Sequence, residues 1–198
     1  VRADAAYSMP PGHPPKGGVF FILPQNRKTI PRDMMLLAAH ETYPGHHLLD
    51  TRRWGHQRPL RRYLEFPLFY EGWACFAEEI LFDTGFFSGP ADRLLSAKRR
   101  FWRACRGRAD LNIHSGRWRL QEAAIDLFAT GLANLEMATA MVRRYALKPG
   151  YQLSYSIGRR KFRRKPCQAH GRFDNNSQGA FGSDHQVDQI IPRRCFAR

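Results

Sequence analysis

Apolar residues are spaced as in α-helices over most of the chain from residue 32 to residue 164. They recur at steps of three and four, which places them on one face of a helix. In one segment the repeating apolar positions are Phe69, Trp73, Phe76 and Ile80. The pattern predicts a mainly α fold, with helices over residues 32–50, 67–83, 90–110, 118–130, 133–147 and 151–164.

Three stretches depart from the helical pattern. Residues 18–24 are a run of β-branched and aromatic residues bounded by Gly and Pro, which predicts one short strand. Residues 1–17 are rich in Pro and Gly and predict an irregular leading segment. Residues 166–198 are polar and turn-rich, which predicts disorder. The chain therefore divides into the leading segment, a helical core over residues 18–165, and this tail.

The chain is strongly basic, with 32 Lys and Arg against 17 Asp and Glu and a formal net charge of +15. Such a charge is compatible with nucleic acid, an anionic membrane surface or acidic substrates. The basic residues are spread from Arg2 to Arg198, however, which favours an ordinary solvated surface. Clusters such as Arg159-Arg160-Lys161 keep a basic nucleic-acid-binding module as an alternative. No recognisable nucleic-acid motif supports it, so no specific nucleic-acid partner is expected.

Cysteines and apolar runs narrow the class of protein further. The four cysteines lie far apart, so neither a zinc knuckle nor a disulfide framework is predicted. No apolar run approaches the roughly 20 residues of a transmembrane helix. No signal peptide opens the chain, and its first residue is Val rather than Met. We therefore expect this chain to be the C-terminal part of a longer protein. Neither its cellular location nor its oligomeric state follows from these features.

The segment His-Glu-Thr-Tyr-Pro-Gly-His-His at residues 40–47 concentrates groups that bind metals. In a helix with the pattern His-Glu-x-x-His, the two His hold a zinc ion and the Glu deprotonates a zinc-bound water. His40 and Glu41 are the candidates for these two roles. The alternative is a helix that turns its polar side to water. Three His and one Glu within eight residues favour a zinc site over that alternative.

The spacing departs from the usual His-Glu-x-x-His pattern, because position 44 is Pro. On a regular helix His47 would share the face of His40 but lie about 10.5 Å further along the axis, too far to share an ion. Pro44 and Gly45 predict a local distortion of the helix. That distortion would bring His46 to the second ligand position, with His47 as the alternative.

Glu71 is the predicted third ligand, because it lies near the start of the next helix. Small residues around it would let the His-bearing helix approach: Gly72, Ala74 and Cys75. Glu78 and Glu79, about two helical turns further on, are rival carboxylates. One of them is an alternative candidate for orienting a ligand imidazole.

Two further residues are candidates for stabilising an oxyanion during catalysis. His114 lies at a predicted helix end, and its alternative role is that of a capping residue. Tyr155 lies in the last predicted helix, and its alternative role is that of a core tyrosine with a satisfied hydroxyl.

The chain resembles the bacterial domain-of-unknown-function family 885, which is similar to the gluzincin metallopeptidases. The resemblance rests on HETYPGHH at 40–47, YEGWACFAEE at 70–79, the segment ending in His114, and LEMATAMVRRYALKPGYQLSYSIG at 135–158. It runs from about Gly18 to about Arg164 and covers the C-terminal part of the family. Tyr151 stands where the family often has Gln, and residues 166–198 do not resemble its final helix. The hypothesis for this tail is a truncated or frameshifted reading frame.

The resemblance implies a helical metallopeptidase-like catalytic core with one short edge strand, as a fragment of a larger helical fold. It implies zinc ligands at His40, one of His46 and His47, and Glu71, with Glu41 as general base. It also implies that residues 18–24 border the substrate cleft and that the protein lies in the cell envelope or is secreted.

The residues and the resemblance together predict zinc-dependent hydrolysis of peptide bonds, with Glu41 activating a zinc-bound water and a peptide as substrate. One alternative is a catalytically incomplete fragment of such an enzyme. The other is the basic nucleic-acid-binding module.

Overall fold

The computed structural model describes residues 5–8, 17–22, 31–55, 57–63 and 65–164. Within these ranges the chain forms eight helices and one two-stranded sheet, which confirms the prediction of a mainly α fold. The strands are β1 (Ala5–Ser8) and β2 (Val19–Ile22). The helices are α1 (Pro31–Glu41), α2 (His46–Trp54), α3 (Pro59–Tyr63), α4 (Pro67–Asp83), α5 (Pro90–His114), α6 (Leu120–Ala129), α7 (Leu135–Ala146) and α8 (Tyr151–Arg164).

The predicted bounds of several helices agree with the structure. Both α4 and α8 span the predicted residues, and α5 begins at Pro90 as predicted but continues to His114. The helix predicted over residues 32–50 is two helices, because the chain turns between Glu41 and His46. The short helix α3 was not predicted. The predicted disorder of residues 166–198 lies outside the described residues.

A β-hairpin precedes the first helix. Strand β1 pairs antiparallel with β2, with Ala5 opposite Ile22 and Ser8 opposite Val19. The prediction of an irregular segment over residues 1–17 is therefore wrong for Ala5–Ser8. The local sequence Ala-Ala-Tyr-Ser carries little strand preference, and pairing with β2 supplies the hydrogen bonds that make it a strand.

In the part of the chain that the structure describes, two hydrophobic clusters join helices to one another. The larger one joins α5, α6 and α7 through small buried residues such as Ala109, Ala123 and Ala138, around Leu127 and Val142. The smaller one joins α1 to the segment after α4. It contains Leu36, Ala39 and Phe87. Leu36 lies one helical turn before His40 on α1. The packing of this cluster therefore positions the start of the His-rich segment.

Helices α4 and α8 cross at two glycines. A Cβ atom on Gly72 would lie 2.5 Å from the Cα atom of Gly158, and one on Gly158 would lie 2.1 Å from the Leu68 carbonyl oxygen. The Phe162 ring packs beside this crossing, with its centroid 5.6 Å from that of Trp73. Gly72 was expected to admit the His-bearing helix; it admits α8 instead.

None of the described helices combines the length and the apolar character needed to cross a lipid bilayer.

Candidate metal centre

The turn between α1 and α2 places two histidines together. Thr42 continues α1 by donating its backbone N–H to the Ala38 carbonyl over 2.7 Å. Gly45 then passes so close to the end of α1 that a Cβ atom would lie 1.8 Å from the His40 carbonyl oxygen. Only glycine fits this approach. As a result the rings of His40 and His46 lie 4.8 Å apart between centroids, at an interplanar angle of 85°.

Helix α4 holds this turn from the other side. The Trp73 indole N–H lies 3.0 Å from the Pro44 carbonyl oxygen and 3.2 Å from that of Gly45, and donates to both. The Tyr70 ring stacks on His46 with centroids 4.1 Å apart. Its hydroxyl donates to Asp50 Oδ2 over 3.0 Å. The pattern of apolar residues did not predict these contacts, although Tyr70 and Trp73 lie within two residues of Glu71 in the sequence.

The carboxylate of Glu71 faces both histidines. Its Oε2 lies 3.5 Å from His40 Nε2 and 3.4 Å from His46 Nε2, and all three side chains are buried. Burial alone raises the pKa of Glu71, but hydrogen bonds and charge interactions with the two histidines outweigh it and hold that pKa far below its usual range. Two predicted ligands from the His-rich segment and the predicted third ligand therefore converge on one point.

Glu41 lies beside the same two histidines and forms a cluster with them. Ligand atoms of His40, Glu41 and His46 lie within 4.8 Å of one another, and Glu41 is only half-buried. A partly accessible carboxylate beside two imidazoles can accept a proton from water or serve as a further ligand.

His40 has a second carboxylate on its other nitrogen. Its Nδ1 lies 2.9 Å from Glu78 Oε1, which in turn accepts from the buried Arg103 guanidinium over 2.6 Å. Burial lowers the pKa of His40, but hydrogen bonds to Cys75, Glu71 and Glu78 outweigh it and hold that pKa well above its usual value. Such a site has a high affinity for positive charge, which a proton or a metal ion can supply.

The rival carboxylates thus differ in position. Glu78 lies against His40 Nδ1, where a carboxylate can orient the imidazole, as predicted for one of the two. Glu79 Oε1 instead accepts from Arg159 and lies 3.5 Å from Arg100. Glu79 therefore links α4 to α5 and α8 by ion pairs.

His47 points to the hairpin. Its Nδ1 lies 3.1 Å from the Tyr7 hydroxyl, and burial lowers its pKa. A Cβ atom on Gly18 would lie 2.6 Å from this Nδ1, so the start of β2 is seated against the ring. Of the two alternatives for the second ligand, the structure therefore brings His46 to Glu71 and uses His47 to hold the hairpin beside the site.

Helix α8 brings two phenols to Glu71. The hydroxyls of Tyr155 and Tyr151 donate to Glu71 Oε1 over 3.0 and 2.7 Å. Burial is the largest cause that raises the pKa of both phenols, and the Glu71 charge adds to it. Tyr155 was a candidate from the sequence, whereas no role was predicted for Tyr151. The four-residue spacing, which puts both on one face of a helix, was the signal that could have found it.

His114 is not brought to this cluster. Its Nε2 lies 3.1 Å from the Tyr145 carbonyl oxygen and 3.3 Å from Asp110 Oδ1. The buried Asp110 carboxylate also accepts the backbone N–H groups of Gly150 and Gln152, over 3.1 and 2.8 Å. His114 therefore takes part in the hydrogen bonds that connect α5 with α7 and the start of α8. This placement gives no support to a catalytic role.

Comparisons with known proteins agree with the mainly α fold. The chain superimposes with a TM-score of 0.74 and 25% sequence identity on a protein described as "the putative lipoprotein from Colwellia psychrerythraea". The match covers 82% of this chain but only 28% of that one. No curated protein matches the sequence.

A family match extends the resemblance noted in the sequence. Residues 1–176 match the family described as "Bacterial protein of unknown function (DUF885)". The matched region is wider at both ends than the resemblance from Gly18 to Arg164, and it includes the hairpin and all eight described helices. The chain therefore belongs to the bacterial DUF885 family.

Proposed function

We propose that this protein uses zinc to hydrolyse peptide bonds, with His40, His46 and Glu71 as ligands and Glu41 as general base. The observation that carries the proposal is the convergence of the two Nε2 atoms on one buried carboxylate oxygen, at 3.5 and 3.4 Å. Such a set of two imidazoles and one carboxylate is typical of catalytic zinc sites, which keep a further position open.

The spacing of the donor atoms fits zinc. Ligands about 2.0–2.1 Å from a tetrahedral ion are separated from one another by about 3.3–3.4 Å. The distances from Glu71 Oε2 to the two imidazole nitrogens match that separation. Calcium and magnesium prefer sites made of oxygen atoms, which argues against them here.

The hydrogen bonds on the far side of His40 fit the same role. When Nδ1 donates to Glu78, Nε2 presents its lone pair towards Glu71 and His46. Imidazole ligands of metals are commonly oriented by a carboxylate in this way. Arg103 holds Glu78 through both of its oxygens, at 2.6 and 3.1 Å, so the orienting carboxylate is itself fixed.

When bound, zinc supplies a Lewis acid that polarises a carbonyl group and makes water more acidic. Glu41, half-buried at the edge of the cluster, receives the proton of the attacking water and passes it to the departing amine. Strand β2 lies beside the site, because Gly18 at its start contacts His47. A peptide is the proposed substrate, and the similarity to a protein described as a lipoprotein favours a place in the cell envelope.

A second candidate function is metal binding without catalysis, in which this chain is an incomplete part of a catalytic unit. It is favoured by the length of the similar Colwellia protein, of which the match covers 28%. Zinc binding without peptide hydrolysis would favour this candidate. The basic nucleic-acid-binding module has less support, because Arg53, Arg99, Arg103, Arg108 and Arg159 all form ion pairs with carboxylates.

The first test is zinc content by elemental analysis of the purified protein. We expect about one zinc per chain in the wild type and little in His40→Ala, which removes one of three protein ligands. His114→Ala is the matched control, because His114 bonds to Tyr145 and Asp110 instead, and it should keep its zinc. A folded wild type that binds no zinc would overturn the proposal.

A further inference from the structure

The two oxygens of Glu71 face different partners. Oε2 faces His40 and His46, whereas Oε1 accepts one hydrogen bond from Tyr151 and one from Tyr155, over 2.7 and 3.0 Å. The carboxylate is buried, so these contacts rather than water satisfy its oxygens. One oxygen of Glu71 therefore faces the two imidazoles, and the other faces α8.

The fold holds both phenols in place. Tyr151 and Tyr155 are one helical turn apart on α8, with ring centroids 6.0 Å apart. The Gly72–Gly158 crossing sets the distance between α8 and the helix that carries Glu71. The Arg106 guanidinium lies 4.8 Å from the centre of the Tyr155 ring, which packs that ring further.

We propose that Tyr151 and Tyr155 act as positioning residues that keep Glu71 bound to the metal through Oε2 alone. This inference rests on the proposed zinc site. A carboxylate can bind a metal ion through one oxygen or through both. Two hydrogen bonds on Oε1 use the lone pairs that the second mode would need, so they favour the first mode and leave a coordination position open.

The state of the phenols supports this role. Each of the two hydrogen bonds runs from a phenol O–H group to Oε1, so both tyrosines act as donors to the carboxylate. Hydrogen bonds from a neutral donor to a carboxylate are stronger than those between neutral groups. The pair therefore replaces, inside the protein, the water that would otherwise solvate Oε1.

The test compares zinc binding by the wild type, Tyr151→Phe, Tyr155→Phe and the double variant. Zinc affinity is measured by competition with a chelator, and the number of atoms around zinc is measured by X-ray absorption spectroscopy. We expect the double variant to bind zinc about 10–100-fold more weakly, the usual cost of losing outer contacts to a ligand. We also expect one additional oxygen neighbour, because Oε1 is released to the metal.

The matched control is Tyr63→Phe, which removes the same hydroxyl from an exposed ring on α3. It should leave both measurements unchanged. If the double variant does not fold, as judged by circular dichroism, the two single variants carry the test and should each show a smaller loss of affinity.

The outcomes separate this inference from the proposed function. Wild-type affinity and an unchanged number of neighbours in the folded variants would overturn the role of the tyrosine pair while the zinc site stands. A wild type that binds no zinc would overturn both.

Discussion

At the scale of single residues, His40 has a separate partner for each ring nitrogen. Nδ1 lies 2.9 Å from Glu78 and Nε2 lies 3.5 Å from Glu71. Glu41, the next residue in the chain, is the least buried member of the cluster formed with His40 and His46. A carboxylate needed as a ligand is best buried, whereas one that exchanges protons with water and substrate must reach them. The burial of Glu71 and Glu41 thus matches their different proposed roles.

The role of Glu41 predicts a separation of metal binding from turnover. Glu41→Gln keeps the size and polarity of the side chain but cannot accept a proton, so we expect full zinc content and a fall in kcat of about 100-fold or more. The measurement is hydrolysis of a peptide library, with zinc analysed in the same samples. Glu136→Gln, an exposed position in the first turn of α7, is the matched control and should keep its activity. Unreduced turnover in Glu41→Gln would reject the assignment of the base.

At the scale of elements, the turn between α1 and α2 decides which histidine can join the site. Pro44 and Gly45 were expected to distort a helix, and they end it instead. The new helix begins at His46, so His46 points to Glu71 while His47 points to Tyr7. Helical spacing alone could not distinguish the two, because that choice depends on the direction in which the second helix leaves the turn.

The turn also predicts a contrast between the two glycines that flank α2. At the N-terminal end, a methyl group on Gly45 would meet the His40 carbonyl oxygen at 1.8 Å, so Gly45→Ala must push α2 away from α1. We expect a loss of zinc affinity and a decrease of about 1–3 kcal/mol in the free energy of unfolding, measured with urea. At the C-terminal end, a methyl group on Gly55 would have its nearest neighbour at 3.4 Å. Gly55→Ala is therefore the control, and equal losses in both variants would contradict this account.

At the scale of the whole molecule, the candidate ligands come from three helices. His40 lies in the last turn of α1, His46 begins α2, and Glu71 lies in the first turns of α4. The large hydrophobic cluster of α5, α6 and α7 lies outside this set. A bound ion would therefore cross-link helices that share little of the main core, and its binding energy would add to their stability.

That arrangement predicts stabilisation by metal. Raising free zinc to about 100 times its Kd should stabilise the protein by about 2.7 kcal/mol, and removing the metal with a chelator should reverse the change. Thermal unfolding followed by circular dichroism measures the effect. His40→Ala should show no stabilisation at the same zinc concentrations. An equal shift in that variant would mean that zinc acts elsewhere on the chain.

The sequence by itself determined the helices and the types of residue at the site. Periodicity fixes which side of a helix is apolar, and Pro and Gly limit where a helix can begin or end. The predicted bounds were correct for α4, which begins at Pro67, and for α8, which follows Pro149-Gly150. The types of residue at the candidate site were likewise visible in the sequence: His40, Glu41, one of His46 and His47, and Glu71. These features depend on interactions within a few residues, which a single sequence displays directly.

Only the tertiary structure decided which groups meet. The choice of His46 over His47, the pairing of His40 with Glu78, and the approach of Tyr151 to Glu71 each join residues from different elements. The strand β1 and the placement of His114 away from the cluster were decided in the same way. Such contacts depend on how helices cross, and glycines such as Gly72 and Gly158 set that distance through the absence of a side chain.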